Sequence, residues 1–134
     1  MTNQRPKDET KSIKQRRMEF AYEQLSRVIN KKEIATRLKG LPIAIRMNGL
    51  AVVGAQFSSS DEIRPIGKML SKWLLKECPM NIFSEQRNKT EEDANIKRLL
   101  ELCIKATRTE YAAAQQEAIA FLDCAKLIAE ALED

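Results

Sequence analysis

Apolar residues recur at helical spacing along most of the chain. From Ser12, the positions Met18, Ala21, Tyr22, Leu25, Val28 and Ile29 fall at i, i+3, i+4, i+7, i+10 and i+11. That spacing predicts one helix with a single apolar stripe. Its opposite face holds Arg16, Phe20, Arg27 and Lys31, with Arg17 at the edge. A second helical segment follows through Ile34, Ala35 and Leu38, with Gly40 expected as its C-cap. Leu41 to Phe57 reads two ways. Asn48-Gly49 between apolar residues signals a hairpin, and Ile43, Ile45, Val52 and Val53 favour strands. Against this, Ile43, Met47, Leu50, Gly54 and Phe57 keep helical spacing, and Pro42 suits a first helical turn. A lone hairpin would be poorly supported among helices, so the balance tips to helix. Gly49 and Gly54 would then mark close approach by a neighbouring backbone.

Ser58-Ser59-Ser60-Asp61 reads as a break and N-cap cluster, with Glu62 early in the next helix. That helix places Ile63, Ile66, Leu70, Trp73 and Leu74 on one face and stops before Pro79. Residues 79–89 form the longest expected loop. Thr90 is the expected cap of a further helix, with Glu91, Glu92 and Asp93 at its positive end and Ile96, Leu99, Leu100, Cys103 and Ile104 on its apolar face. Thr107 and Glu110 form a capping box. The helix it opens carries Tyr111, Ala114, Ala118, Phe121, Leu122, Ala125, Ile128, Ala129 and Leu132 in register. The expectation is an all-α protein, a single compact bundle of five or six helices over residues 12–134. Residues 1–11 are polar and aperiodic, and are expected to form a disordered tail.

Composition narrows the chemistry. A chain of 134 residues is one domain's worth. Only 4 Gly and 4 Pro leave too few turns for an all-β sandwich or barrel. There is no histidine, which removes Ser-His-Asp triads, Cys-His dyads and His-ligated metal sites. Cys78, Cys103 and Cys124 are far apart with no C-x-x-C, so reduced, buried thiols are expected rather than a zinc or redox site. No enzymatic constellation, metal or cofactor is expected. Trp73 reads as core, and Asp61, Glu62 and Glu91 to Asp93 read as helix caps. Met1 to Arg17 lacks an apolar signal core, and no apolar run is long enough to span a bilayer, so a cytoplasmic protein is expected. Charge is uneven. Residues 1–60 carry 12 Lys and Arg against 5 Asp and Glu, a net +7, whereas residues 61–134 carry 11 against 14, a net −3. A basic half joined to an acidic half suits a polyanion partner or head-to-tail association.

Four segments, taken in order, resemble the small subunit of the Cmr complex, the type III-B CRISPR RNA-targeting effector. They are Arg16-Arg17 with Ala21; Leu41-Pro42 through Asn48-Gly49-Leu50 with Phe57; Trp73-Leu74; and Tyr111 with Glu117-Ala118, Leu122 and Ala131-Leu132. The resemblance spans residues 13–133. It implies a helical, non-catalytic subunit in which the Asn-Gly-Leu segment is helical rather than a hairpin. It also implies several copies stacked along the effector, meeting its repeated backbone subunit, its large subunit, CRISPR RNA and target RNA in antiviral defence. Cleavage would belong to the backbone subunit. On that footing Arg16, Arg17, Phe20, Arg27 and Lys31 are candidates to track a phosphate backbone, with Phe20 offering a stacking surface, and Lys39 and Arg46 would extend the same surface. The plainer reading of that face is a solvated surface whose one apolar residue is buried by another helix. Two other functions remain in play: a helical adaptor that touches no nucleic acid, and a DNA-binding helix-turn-helix near residues 31–57. The apolar character of Pro42 to Phe57 speaks against the latter.

Overall fold

The computed structural model describes residues 11–86 and 90–133. The expected N-terminal tail therefore lies outside the described residues except for Lys11. Among the described residues six α-helices follow one another: α1 (Ile13–Leu25), α2 (Lys31–Asn48), α3 (Leu50–Ser59), α4 (Arg64–Lys72), α5 (Ile96–Lys105) and α6 (Arg108–Leu132). Trp73–Glu77 continues α4 as a π-helical turn, closed by Cys78 N–H donating to the Trp73 carbonyl at 2.8 Å. No strand occurs among the described residues.

The long α6 is the spine. It packs most heavily against α1 and α2, while α3 packs on α5 and α4. Most of its buried residues are small: Ala114, Ala118, Cys124, Ala125 and Ala129 accompany Phe121, Leu122 and Glu117. The alanines let α1 and α2 approach closely, and Phe121 fills the centre. There Trp73 stacks on Phe121 with centroids 5.3 Å apart, and Phe20 closes the cluster at 5.9 Å from Trp73 and 6.0 Å from Phe121. Trp73 is core, as its position on an apolar stripe predicts. None of the three cysteines forms a disulfide, and all are buried.

Helix starts follow local chemistry. Ser12 and Gln15 form a capping box on α1, and Thr107 and Glu110 form the expected one on α6. Elsewhere the boundaries move. Gly40 does not end a helix; α2 runs through it and through Pro42 to Asn48. The break comes at Gly49, whose φ of 92° places it outside the region that L-residues favour. The Asn-Gly pair is thus a corner between two helices. The α3 N-terminus is capped from a distance: Leu50 N–H donates to Gln115 Oε1 at 3.0 Å and Ala51 N–H to the Tyr111 hydroxyl at 2.9 Å. The helix after the serines begins at Arg64, because Asp61 pairs with Arg64 and Glu62 with Arg37 instead of capping. Thr90 accepts from Asp93 N–H in a turn, and Asn95 is the cap of α5, accepting from Arg98 N–H at 2.8 Å. Ahead of Thr90 the segment after the π turn tucks Ile82 and Phe83 into the core. Nor is Pro42–Phe57 wholly interior. Pro42, Ile45, Leu50, Val53 and Phe57 are buried, but Ile43, Met47 and Val52 face solvent.

Candidate nucleic-acid interface

The charged face expected on α1 is turned largely inward. Arg17 grips Glu117 of α6 in a bidentate pair, Nε to Oε2 at 2.6 Å and Nη2 to Oε1 at 2.7 Å. Trp73 Nε1 donates to the same Oε2 at 2.9 Å. Glu117 is buried, so its charge is neutralised by Arg17 and Oε2 is further satisfied by the indole. The hydrogen bond to Glu117 raises the Arg17 guanidinium above its ordinary pKa, outweighing the opposite pull of burial. Phe20, expected as a stacking surface, is 8% exposed and sits in the aromatic cluster. Neither residue is presented to a ligand, which corrects their placement on an outer face.

The reason is a phase error in the apolar stripe. Tyr22 and Ile29, counted as core, are 53% and 98% exposed. The buried side of α1 is centred on Arg17, Phe20 and Ala21, roughly 80° round the helix from the expected stripe. An arginine reads as polar in a periodicity count, yet here its partner waits inside.

The neighbouring cations are also engaged. Arg16 is half-buried and donates from Nη2 to the Glu77 carbonyl at 3.2 Å, tying α1 to the π turn. Lys31 Nζ donates to the Val28 carbonyl at 2.8 Å, near the carboxyl end of α1. Of the seven residues expected at the interface, Arg27, Lys39 and Arg46 remain exposed. Lys39 and Arg46 lie on the outer face of α2, and the structure adds Lys32 to them. These three recur every seven residues, two helical turns or about 10 Å apart. Among the described residues, none of their side chains makes a salt bridge or hydrogen bond. By contrast, Arg37 pairs with Glu62, Lys72 with Glu91, and Arg98 with Glu101. The heptad recurrence of cations was the signal for Lys32; it was hidden because Gly40 read as the end of the helix.

This face presents positive charge to solvent. Among the described residues, no three His, Cys, Asp or Glu side chains gather to hold a metal. Burial pushes the Cys103 thiol up to about 12, far from a nucleophile's range. No helix among the described residues is long and apolar enough to cross a membrane.

The family model for the CRISPR-associated protein Cas_Cmr5 matches residues 13–132, from the first turn of α1 to the end of α6. The chain belongs to this family. It is the small-subunit family of the type III-B Cmr complex, so the chain is a component of a Cmr effector with other subunits. No curated protein and no solved structure matches it. Several residues that carry the family resemblance turn out to be architectural. Arg17, Trp73 and Glu117 form the buried polar cluster, and Gly49, Leu50 and Tyr111 form the α2–α3 corner.

Proposed function

We propose that the chain is a non-catalytic small subunit that stacks in several copies along the Cmr effector and helps hold the guide–target RNA duplex in antiviral defence in the cytoplasm. The observation that carries this reading is the row of Lys32, Lys39 and Arg46, exposed and recurring every seven residues with no side-chain partner among the described residues. Arg27, exposed in the turn before α2, extends it. A few phosphate contacts per copy give weak binding, and repetition along one strand raises the effective concentration of each site. Cleavage is assigned to another subunit, since no activated nucleophile or general base stands out among the described residues. An outer face of exposed cations also favours this reading over an adaptor that never meets RNA. The short α3 argues against a helix-turn-helix, because Leu50, Val53, Gly54 and Phe57 are buried, its exposed side includes Val52 and Ala55, and it offers few polar readers.

The test is the triple reversal Lys32→Glu, Lys39→Glu and Arg46→Glu in the assembled complex. Target binding falls and its salt dependence flattens, by about 0.7 in the log–log slope for each phosphate no longer neutralised on a single strand. The melting temperature stays within a few degrees of wild type, because exposed unpaired charges contribute little to stability. Unchanged target binding at moderate salt would remove α2 as the RNA surface.

A further inference from the structure

Four glycines punctuate the chain, and three have internal neighbours. A Cβ at Gly49 would stand 2.8 Å from the Tyr111 hydroxyl, one at Gly67 2.5 Å from the Phe57 ring, and one at Gly54 4.0 Å from Leu100. Gly40 is different. It lies in the interior of α2, it is exposed, and a Cβ built on it would meet no heavy atom within 4 Å. Gly49 is the glycine with positive φ, so Gly40 needs no special backbone conformation. Glycine is the least helix-favouring residue after proline. Among the described residues, neither packing nor backbone geometry accounts for its place there.

Its surroundings suggest what does. On the exposed side of α2, Gly40 lies between Thr36 and Ile43 one turn away, with Glu33 and Met47 two turns away on its own line, whereas Lys32, Lys39 and Arg46 run about 100° round the helix from it. Ile43 is 57% exposed and Met47 77% exposed. The notch and the two apolar side chains next to it therefore lie beside the row of free cations, about a quarter-turn round the helix, not within it. Removing a Cβ lets a ligand lie against the helix main chain.

We propose that Gly40 is the close-approach point at which the sugar–phosphate backbone of an RNA duplex seats on α2. This rests on the RNA reading of the same face and adds a specific contact to it. The three cations meet phosphates along the duplex. Ile43 and Met47 pack on ribose faces, which an A-form helix displays across its wide, shallow minor groove together with the 2′-hydroxyls. A partner protein with carboxylates around an apolar stripe is the competing occupant, and the experiment separates the two.

Full-length Gly40→Ala and Gly40→Leu are compared with wild type and with the triple charge reversal. The probe is a labelled RNA duplex of about 20 base pairs, followed by fluorescence anisotropy at low salt. Both glycine variants melt at a higher temperature than wild type, because each places a better helix former in open space. Both bind the duplex more weakly, Gly40→Leu by about tenfold or more and Gly40→Ala by less. Their salt slope is unchanged, since every cation is still in place. If the glycine variants bind as wild type while the charge reversal weakens binding, RNA meets the row of cations without seating at Gly40; the inference falls and the proposed function stands. If they bind RNA normally but fail to enter the assembled effector, the notch seats a protein subunit and the inference is overturned. If neither the glycine variants nor the reversal changes binding, both readings fall. A lowered melting temperature would show that Gly40 serves the fold and would also sink the idea.

Discussion

At the scale of single residues, the Arg17–Glu117 ion pair is buried in a largely apolar centre. Arg17, Glu117 and Trp73 satisfy one another, and no buried side-chain N or O lacks a hydrogen-bond partner among the described residues. Replacing Arg17 by Met leaves a buried carboxylate with only an indole N–H. Such a truncation costs about 3–5 kcal/mol, whereas replacing both Arg17 and Glu117 by apolar residues recovers most of the loss. Urea unfolding of the two single variants and the double variant measures this coupling. Phe20→Ala opens a cavity between Trp73 and Phe121 and costs about 3–5 kcal/mol. RNA affinity per folded molecule is unchanged in that variant, because the ring faces the core. Equal stability with weakened RNA binding would return Phe20 to the interface. Charge reversal at Arg17 is consequently no probe of RNA binding, since it would place two carboxylates together in the interior.

At the scale of elements, the α2–α3 corner joins backbone strain to a distant cap. Gly49 supplies the positive φ, and Tyr111 and Gln115 receive two of the N–H groups that the start of α3 leaves without intrahelical partners. The missing Cβ is also what makes room for the Tyr111 hydroxyl. Gly49→Ala therefore suffers twice, through a disfavoured φ and through overlap with that oxygen, and loses about 2 kcal/mol or more. Gly54→Ala is the contrast. Its new methyl reaches Leu100 at an ordinary contact distance within a regular helix. It is neutral or gains up to about 1 kcal/mol from helix propensity. Thermal melts of the pair check the distinction, and a stable Gly49→Ala would mean the corner is not needed.

For the whole molecule, the segment between α4 and α5 is held to α6 by one carboxylate. Glu110 accepts from Ser84 N–H at 3.2 Å, from the Ser84 hydroxyl at 2.7 Å and from Thr107 N–H at 3.2 Å. These bonds, the Ser84 hydroxyl first, hold the Glu110 carboxyl below its ordinary value of 4.5. Glu91 beside Lys72 and Lys76, and Glu101 beside Arg98 and Lys105, are lowered likewise. A carboxylate lowered by folding adds stability above its unfolded pKa and loses it as pH falls through the folded one. Stability contributed by these three acids is thus intact at neutral pH and declines below about pH 4.5. Glu110→Gln shows a shallower acid decline than wild type, measured by denaturant melts from pH 6 down to about pH 3. Identical profiles would mean the loop is held by Ile82 and Phe83 alone.

Local chemistry in the sequence determined much of this. The helical class follows from apolar spacing, and the Thr107–Glu110 box and the register of α6 follow from interactions within a few residues. The absence of histidine and of clustered cysteines narrowed the chemistry before any fold was known. The family was legible in the same way, through short segments in the right order. Tertiary structure decided what local pattern cannot encode. Periodicity scores an arginine as polar, so only the meeting of α1 with α6 could show Arg17 and Phe20 to be interior. Gly40 and Gly49 carry the same residue name, yet packing across the fold makes one a helix position and the other a corner. The free row of Lys32, Lys39 and Arg46 emerged for the same reason: a cation is available to a ligand only when no carboxylate of the folded chain has already reached it, and that is settled by distances between residues far apart in sequence.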